Sequence, residues 1–531
     1  MPRYTQPRTG YNKPLLPVPV SKFVDGLPVY GSTTETSAWR VYVPPPYIPP
    51  PYRRRWPDGE RVYPLDRSEL LESNAKRPIN QLPPEVLAEI FLKFVEDDKA
   101  LKTFRTQLRD SNRPLVSKHT DADPILLGHV CSYWRAVALT TPMLWATISI
   151  LHPKKSQIRL LQLWLERAGS HPLELSILEE QEPSHIEANA ARDVILSVTA
   201  RRRYWKSIIF DITTDTLAVI VPLLQSPVPL EHLDSVELHL SIPSKSGPVV
   251  HTHHLLRDPD VYLDDVWSLF HSCSTLRRIN WGHAYSDITF PAHCPGHQLS
   301  DITLYPDISL AILMELLSLC SNLEQIRVQA LCLPSGTLTT YTHNPVLLSK
   351  LHTLNVTADT EVAPLFRCLT LPALRCLQLH YRLPDSVSRD SEGFCDFLSR
   401  SNCVGLETFQ LIDGGSCEED LLNYFDSSIM RNLKYLRLNS RITDGVVRRL
   451  TVGEPSHYPV LMPSLETVIL KGCVTSDGVL SGMVLSRWSP KTFSGRCTPL
   501  KEVWITAKGT YGSIDEGEFA RMRRGGLDIN A

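Results

Sequence analysis

The stretch LETFQL at residues 406–411, followed by CEEDLLNYFDSS at 417–428 and LKYLRL at 433–438, sets the rhythm of most of this chain. In each six-residue phrase, apolar side chains fall at the first, fourth and sixth positions. The last two, one residue apart, share one side of a strand, and the first closes the bend before it. The intervening piece opens on acidic residues and carries apolar residues at three-to-four spacing, as a helix does. Locally the order is strand, helix, strand.

Outward from there the phrase returns in both directions. It reads Trp205/Ile208/Phe210, Leu233/Val236/Leu238, Leu276/Ile279/Trp281, Leu299/Ile302/Leu304 and Leu323/Ile326/Val328. It continues as Leu351/Leu354/Val356, Leu374/Leu377/Leu379, Leu465/Val468/Leu470 and Leu500/Val503/Ile505. From Leu276 onward successive copies lie 23 to 35 residues apart. DISLAILMELLSLC, DSEGFCDFLSRS and TDGVVRRL are further helix-like pieces between copies. Nearer the N-terminus, Leu144–Leu151 reads as a strand, SQIRLLQLWLERAG as a helix stopped by Gly169, and HPLELSIL as a strand. One unit cannot bury its apolar side alone, but a stack of units can. The array resembles leucine-rich repeats, although the asparagine that usually follows their strand is mostly missing and the unit lengths are uneven. That resemblance implies an irregular curved α/β solenoid over residues 151–506, with parallel strands on the concave face and helices outside. Residues 507–531 are expected to form a cap and a frayed tail.

Before the array lies INQLPPEVLAEIFLKFV from Ile79 and, after an insert, DADPILLGHVCSYWRAVALTTPMLWATISI ending at Ile150. Pro83 and Pro84 suit a first helical turn and Glu85 its positive end. Leu87, Ile90, Phe91 and Phe94 recur at helical spacing and make one apolar face. Asp123-Pro124 opens a second helix that carries Leu126, Val130, Trp134 and Val137, and Thr141-Pro142 stops it. LPPEVLAEIF, HVCSYWRAVAL and TPMLW together resemble the F-box, the helical motif that docks on the linker subunit of cullin–RING ubiquitin ligases. The resemblance implies an F-box domain over residues 77–150 whose partner-binding residues are Leu82, Pro83, Leu87, Ile90, Phe91, Cys131 and Trp134, with Trp145 bracing the junction to the repeats. It also implies that the repeat domain holds a target protein for an SCF-type ligase, so the chain itself is no enzyme. The charged segment 96–120 is an insert relative to the family: either a tolerated surface loop or a disturbance of docking. In the second case the chain is a repeat scaffold that engages no ligase.

If the strands line one face, the residues beside each inward pair point out into it. These include Arg278, Asn280, Tyr305, Arg327, Gln329, Gln378, His380, Tyr435, Arg437 and Trp504, a set rich in the arginines and aromatics that anchor interfaces. Singly, a solvated strand residue is the plainer reading of each; together they make a candidate target face. A histidine-rich span (His251, His253, His254, His271, His283, His293, Cys294 and His297) offers zinc-ligand chemistry without a recognised metal spacing, and structural or loop histidines are the plainer reading. No metal or other cofactor is expected.

Residues 1–76 are rich in Pro, Tyr and Arg, including VPPPYIPPPYRRRW at 43–56, and read as a disordered Pro-rich tail. A ligand for a proline-recognising domain or a basic address at Arg53–Arg55 is the functional alternative. Twelve cysteines without a CxxC pair suit a reducing cytoplasmic or nuclear setting. The formal net charge of −2 gives no bulk attraction to nucleic acid or membrane. MPRYTQPRTG lacks the apolar core of a signal peptide, and the apolar run 308–320 is too short to span a bilayer. No phosphate-cradling glycine loop, GxSxG elbow or HExxH helix occurs.

Overall fold

The computed structural model describes residues 23–24, 27–28, 68, 72, 76–95, 124–179, 184–224, 228–241, 259–282, 294–332, 345–383, 389–453, 460–488, 497–508 and 512–530. The chain divides into two compact units, Met1–Ser73 and Asn74–Ala531. Of the first, two short antiparallel strands are described, Phe23–Val24 and Leu27–Pro28. The proline-rich stretch 43–56, the insert 96–120 and His251, His253, His254, His283 and His293 lie outside the described residues.

The second unit is a mixed α/β structure built on a parallel sheet of fourteen strands among the described residues. The first seven are β1 (Thr147–Leu151), β2 (Leu173–Leu178), β3 (Trp205–Thr213), β4 (Ser235–Ser241), β5 (Arg278–Trp281), β6 (Asp301–Ser309) and β7 (Gln325–Cys332). The others are β8 (Thr353–Ala358), β9 (Cys376–Tyr381), β10 (Thr408–Ile412), β11 (Tyr435–Ile442), β12 (Thr467–Cys473), β13 (Glu502–Ala507) and β14 (Asp528–Asn530). Their spatial order is their chain order.

Every apolar residue of the eleven phrases is buried, none more than 3 % exposed. The fourth positions pair in register from Ile208 through Val236, Ile279, Ile302, Ile326, Leu354, Leu377, Phe409, Leu436 and Val468 to Val503. The sixth positions form a second file beside them. A strand with a period-two apolar side cannot slip by one residue without turning that side to water, so the two files lock the register. They belong to one connected apolar core that runs from Leu87 to Ile529.

The first position of the phrase has a hydrogen-bonding role as well. In the nine copies from Leu233 to Leu465 its N–H donates to the carbonyl three residues back, as from Leu406 to Cys403 (3.1 Å) and Leu433 to Met430 (3.2 Å). The residue three back is itself buried, so the phrase has an upstream apolar position that six-residue spacing does not reveal. Cys273, Cys320 and Cys403 fill it, acting as small apolar side chains. Burial pushes their thiols up to about 11, about 12 and about 11 respectively. Just before each strand the backbone continues the ladder: Lys434 N–H donates to the Glu407 carbonyl (2.8 Å) and Glu466 N–H to that of Lys434 (2.8 Å).

Helices return the chain between most strands. Lys155–Ala168 ends at Gly169, whose φ of 60° is one that glycine adopts readily. Ser391–Ser401 is capped by Asp390, Glu418–Asp426 by Cys417, and Asp444–Leu450 begins after Thr443. DISLAILMELLSLC is shared, its first three residues completing β6 before the helix Leu310–Leu319. At the C-terminal end the chain forms the helix Ser513–Arg524 and the edge strand β14, which pairs with β13. The described residues of the 77–150 segment share one compact unit and one core with the sheet.

One buried cation has a structural task. Arg487, on the helix Val479–Trp488, donates from Nε to the Leu450 carbonyl (2.6 Å), from Nη1 to Met462 (3.1 Å) and from Nη2 to Leu461 (2.6 Å). Burial pushes its pKa down to about 10, so it keeps its charge at neutral pH. Arg487→Met leaves these carbonyls without that donor and should lower the unfolding free energy by about 2–4 kcal/mol, read as a fall in the urea midpoint. The exposed Cys417 should be alkylated in the native protein, whereas Cys273, Cys320, Cys403 and Cys473 should react only in denaturant. Mass spectrometry of the alkylated peptides checks this.

Candidate functional site

Two surfaces contain the residues that the sequence puts forward. The first lies on the helical segment before the sheet. A 3-10 turn, Pro78–Gln81, leads into a helix over 84–95, and the chain resumes as the helices Pro124–Leu127 and Ser132–Thr140. The single second helix expected from Asp123-Pro124 is thus broken at 128–131. Cys131 caps the latter piece, its Sγ accepting the Trp134 N–H at 3.4 Å.

Residues 51–54 apart in sequence tie the halves together. The Trp134 indole N–H donates to Asn80 Oδ1 (2.7 Å) and the Tyr133 hydroxyl to the Leu82 carbonyl (2.6 Å). Phe91 lies against Trp134, with ring centroids 4.9 Å apart. Trp145 is buried, donates to the Ala138 carbonyl (2.8 Å), meets Trp164 edge-on at 5.3 Å and carries the Arg167 guanidinium 4.3 Å above its ring. Those partners on the helix Lys155–Ala168 put Trp145 at the seam between helices and sheet.

The helix 84–95 does not present one apolar face to a partner. Leu87 and Phe91 are buried in the chain's own core, while Val86, Ile90 and Phe94 are exposed. An i, i+3, i+4, i+7 set spans a wide arc, and packing against the Trp134 helix takes one side of it. Leu87 and Phe91 therefore have no surface to offer a linker subunit. Pro83 and Ile90 do, whereas Leu82, Cys131 and Trp134 are half-buried. Val86, Phe94, Leu126 and Val130, which are not among the residues the resemblance assigns to the partner, are each 45 to 55 % exposed. Their signal was a second spacing, Val86-Ile90-Phe94 at i, i+4, i+8.

The second surface is the outward side of the sheet. One row across the strands reads Glu237, Asn280, Thr303, Arg327, Asn355, Gln378, Gln410, Arg437, Ile469 and Trp504. Five of the ten predicted face residues fall on it. Arg278 and Tyr435 lie on the row two residues nearer the strand starts, and Gln329 and His380 toward the strand ends. Tyr305 sits beyond β5, edge-on to His239 at 4.7 Å. Arg278 is paired with Asp234 (2.6 Å), and the Trp504 indole N–H donates to Glu502 (2.6 Å).

A cluster that the sequence did not reveal lies on β3–β5. His239 Nε2 is 2.8 Å from Glu237 Oε1 and its Nδ1 is 3.2 Å from the Gly282 carbonyl. Both ring nitrogens face acceptors, the arrangement that suits an imidazolium. Burial alone would push the His239 pKa down, but Glu237 and Asp211 more than offset it and hold it above the ordinary value. Glu237, which also accepts from Asn280 (2.6 Å), is held below the usual carboxylate range by His239 and Asn280 despite its burial. His380 goes the other way: burial and the charges of Arg382 and Arg437 lower its pKa.

Among the described residues no three His, Cys, Asp or Glu side chains stand together as metal ligands would. His271 is buried and stacked on Trp267 at 5.4 Å, and burial pushes the Cys294 thiol up to about 12. No described helix is long and apolar enough to cross a membrane. No protein-family model matches the chain, and no curated protein matches it.

His239 should titrate above about 6.5, and Glu237→Gln should bring the midpoint down, followed by NMR of labelled histidine. The sign for stability follows. The stabilisation from His239 is complete below its unfolded value and is lost as pH rises through the higher folded value; that from Glu237 is lost as pH falls through its lowered one.

Proposed function

We propose that this chain is a substrate-recruiting F-box subunit of an SCF-type cullin–RING ubiquitin ligase, in the cytoplasm or nucleus. In this reading the helical segment docks the linker subunit. The strand array is an irregular leucine-rich-repeat solenoid that holds a target protein on its strand side. The partners carry the ubiquitin-transfer chemistry, and the chain contributes proximity. The ordered LPPEVLAEIF, HVCSYWRAVAL and TPMLW motifs motivate the reading. The observation that carries it is the apolar stripe of Val86, Ile90 and Phe94 left outside the chain's own core. An amphipathic helix with such a stripe suits a groove on another polypeptide, and exposed apolar surface of this kind marks interaction sites.

A second reading is a repeat scaffold whose F-box-like segment docks no ligase. It is favoured by the burial of Leu87 and Phe91, two residues that the resemblance assigns to the partner.

Capture of the purified linker subunit separates the two. The wild type should bind it, and Val86→Ser plus Ile90→Ser should weaken binding at least about tenfold, as loss of two buried apolar contacts implies. Both positions are exposed, so the fold should survive, and an unchanged far-ultraviolet circular dichroism spectrum checks that. A wild type that captures no linker subunit, or a double variant that captures it equally well, supports the scaffold reading.

A further inference from the structure

The outward side of the sheet is electrically divided. β2–β6 carry Glu174, Asp211, Glu237, Asp301 and Asp307, whereas β7–β12 contain no Asp or Glu. On those six strands the outward side chains include Arg327, Arg437, Arg441 and Lys471. The nearest acids are otherwise engaged or lie at the strand ends. Glu407 and Glu466 precede their strands and pair with Lys434 and Lys501, and Asp413 is buried against Arg389.

Within this half, one row runs Arg327, Asn355, Gln378, Gln410, Arg437. Two cations bracket three amides. Asn355 Nδ2 donates to Gln378 Oε1 at 3.0 Å, which leaves the remaining amide groups as both donors and acceptors. Amides in such a file can bond the N–H and C=O groups of a chain lying across them. Four inter-strand steps separate the two arginines, about 19 Å at the usual strand spacing. An extended chain covers that in about six residues.

We propose that this row binds an extended acidic segment of a protein, lying across the strands, with carboxylate side chains about six residues apart. Arg327 and Arg437 each take one carboxylate, and the amide file takes the backbone between them. The row continues through Ile469 to the exposed Trp504, so an apolar residue a few positions beyond the second acid completes the fit. Four cations across six strands are too few and too spread for a nucleic-acid backbone, which needs a denser track of phosphate contacts. The inference rests on the reading of the strand side as the recruiting surface and names what it recruits.

The test uses the full chain and fluorescein-labelled synthetic peptides of about twelve residues, read by anisotropy. A Ser/Thr peptide with glutamate pairs about six residues apart should bind, with an affinity that falls as salt rises. Moving the pairs to about two residues apart should weaken binding at least about fivefold, and Arg327→Glu plus Arg437→Glu at least about tenfold. Lys206→Glu, on the other half, should change it by less than about twofold. A photoreactive group in the bound peptide should label tryptic peptides from β7–β11. The inference is overturned if the peptide does not bind, if a lysine counterpart or a single-stranded oligonucleotide binds as well, or if the double variant binds like the wild type. Linker capture measured on the same sample keeps this outcome separate from that of the ligase reading.

Discussion

Among the described residues, each strand of the sheet hydrogen-bonds to its neighbours in chain order, and from β1 to β13 those contacts are held by the same lock. Two buried side chains one residue apart meet two from the strand before and two from the strand after. A slip of one residue would expose both, and the backbone ladder would lose its pairing with them. The helices, turns and loops can therefore vary in length without disturbing the outward rows. The uneven spacing of 23 to 35 residues between phrases is absorbed entirely between strands.

Polar groups inside the protein serve that stack. Asp413, at the end of β10, is fully buried and receives Arg389 through two nitrogens at 2.8 and 2.7 Å, with the Gly415 N–H at 2.9 Å and the Ser416 hydroxyl completing the set. Burial alone would raise its pKa, but these donors hold it below the usual carboxylate range. The Arg389 guanidinium also lies 5.1 Å from the Tyr381 ring. A buried pair so fully bonded fixes the chain path more than it stabilises the fold, since desolvation offsets most of the attraction. Arg487 does the same for three carbonyls at the C-terminal end of the array.

Much of this was legible beforehand because a strand with its partner side buried writes its period directly into the sequence. Leu374/Leu377/Leu379 needs no tertiary information to be read as a strand, nor does CEEDLLNYFD to be read as a helix. What escaped depends on neighbours. Whether Ile90 or Phe91 faces inward is decided by Trp134, which lies 43 residues beyond Phe91 and packs its ring against it at a tilt. The break at 128–131 depends on Cys131 capping a new helix. The Glu237–His239 pair was hidden because the two are simply alternate residues of β4, and only the fold gives them Asp211 and Gly282 as company. The last strand was hidden by its brevity, three residues after Gly525-Gly526.

In a sheet ordered by sequence, whose described end strands do not pair with one another, cohesion is passed hand to hand. Thermal opening then begins at the margins, with Asp528–Asn530 supported on a single side, and moves inward unit by unit. A lesion in the middle severs the line into two shorter pieces, whereas the same lesion at the rim removes only a rung. The location of a mutation therefore governs its severity as much as its chemistry does.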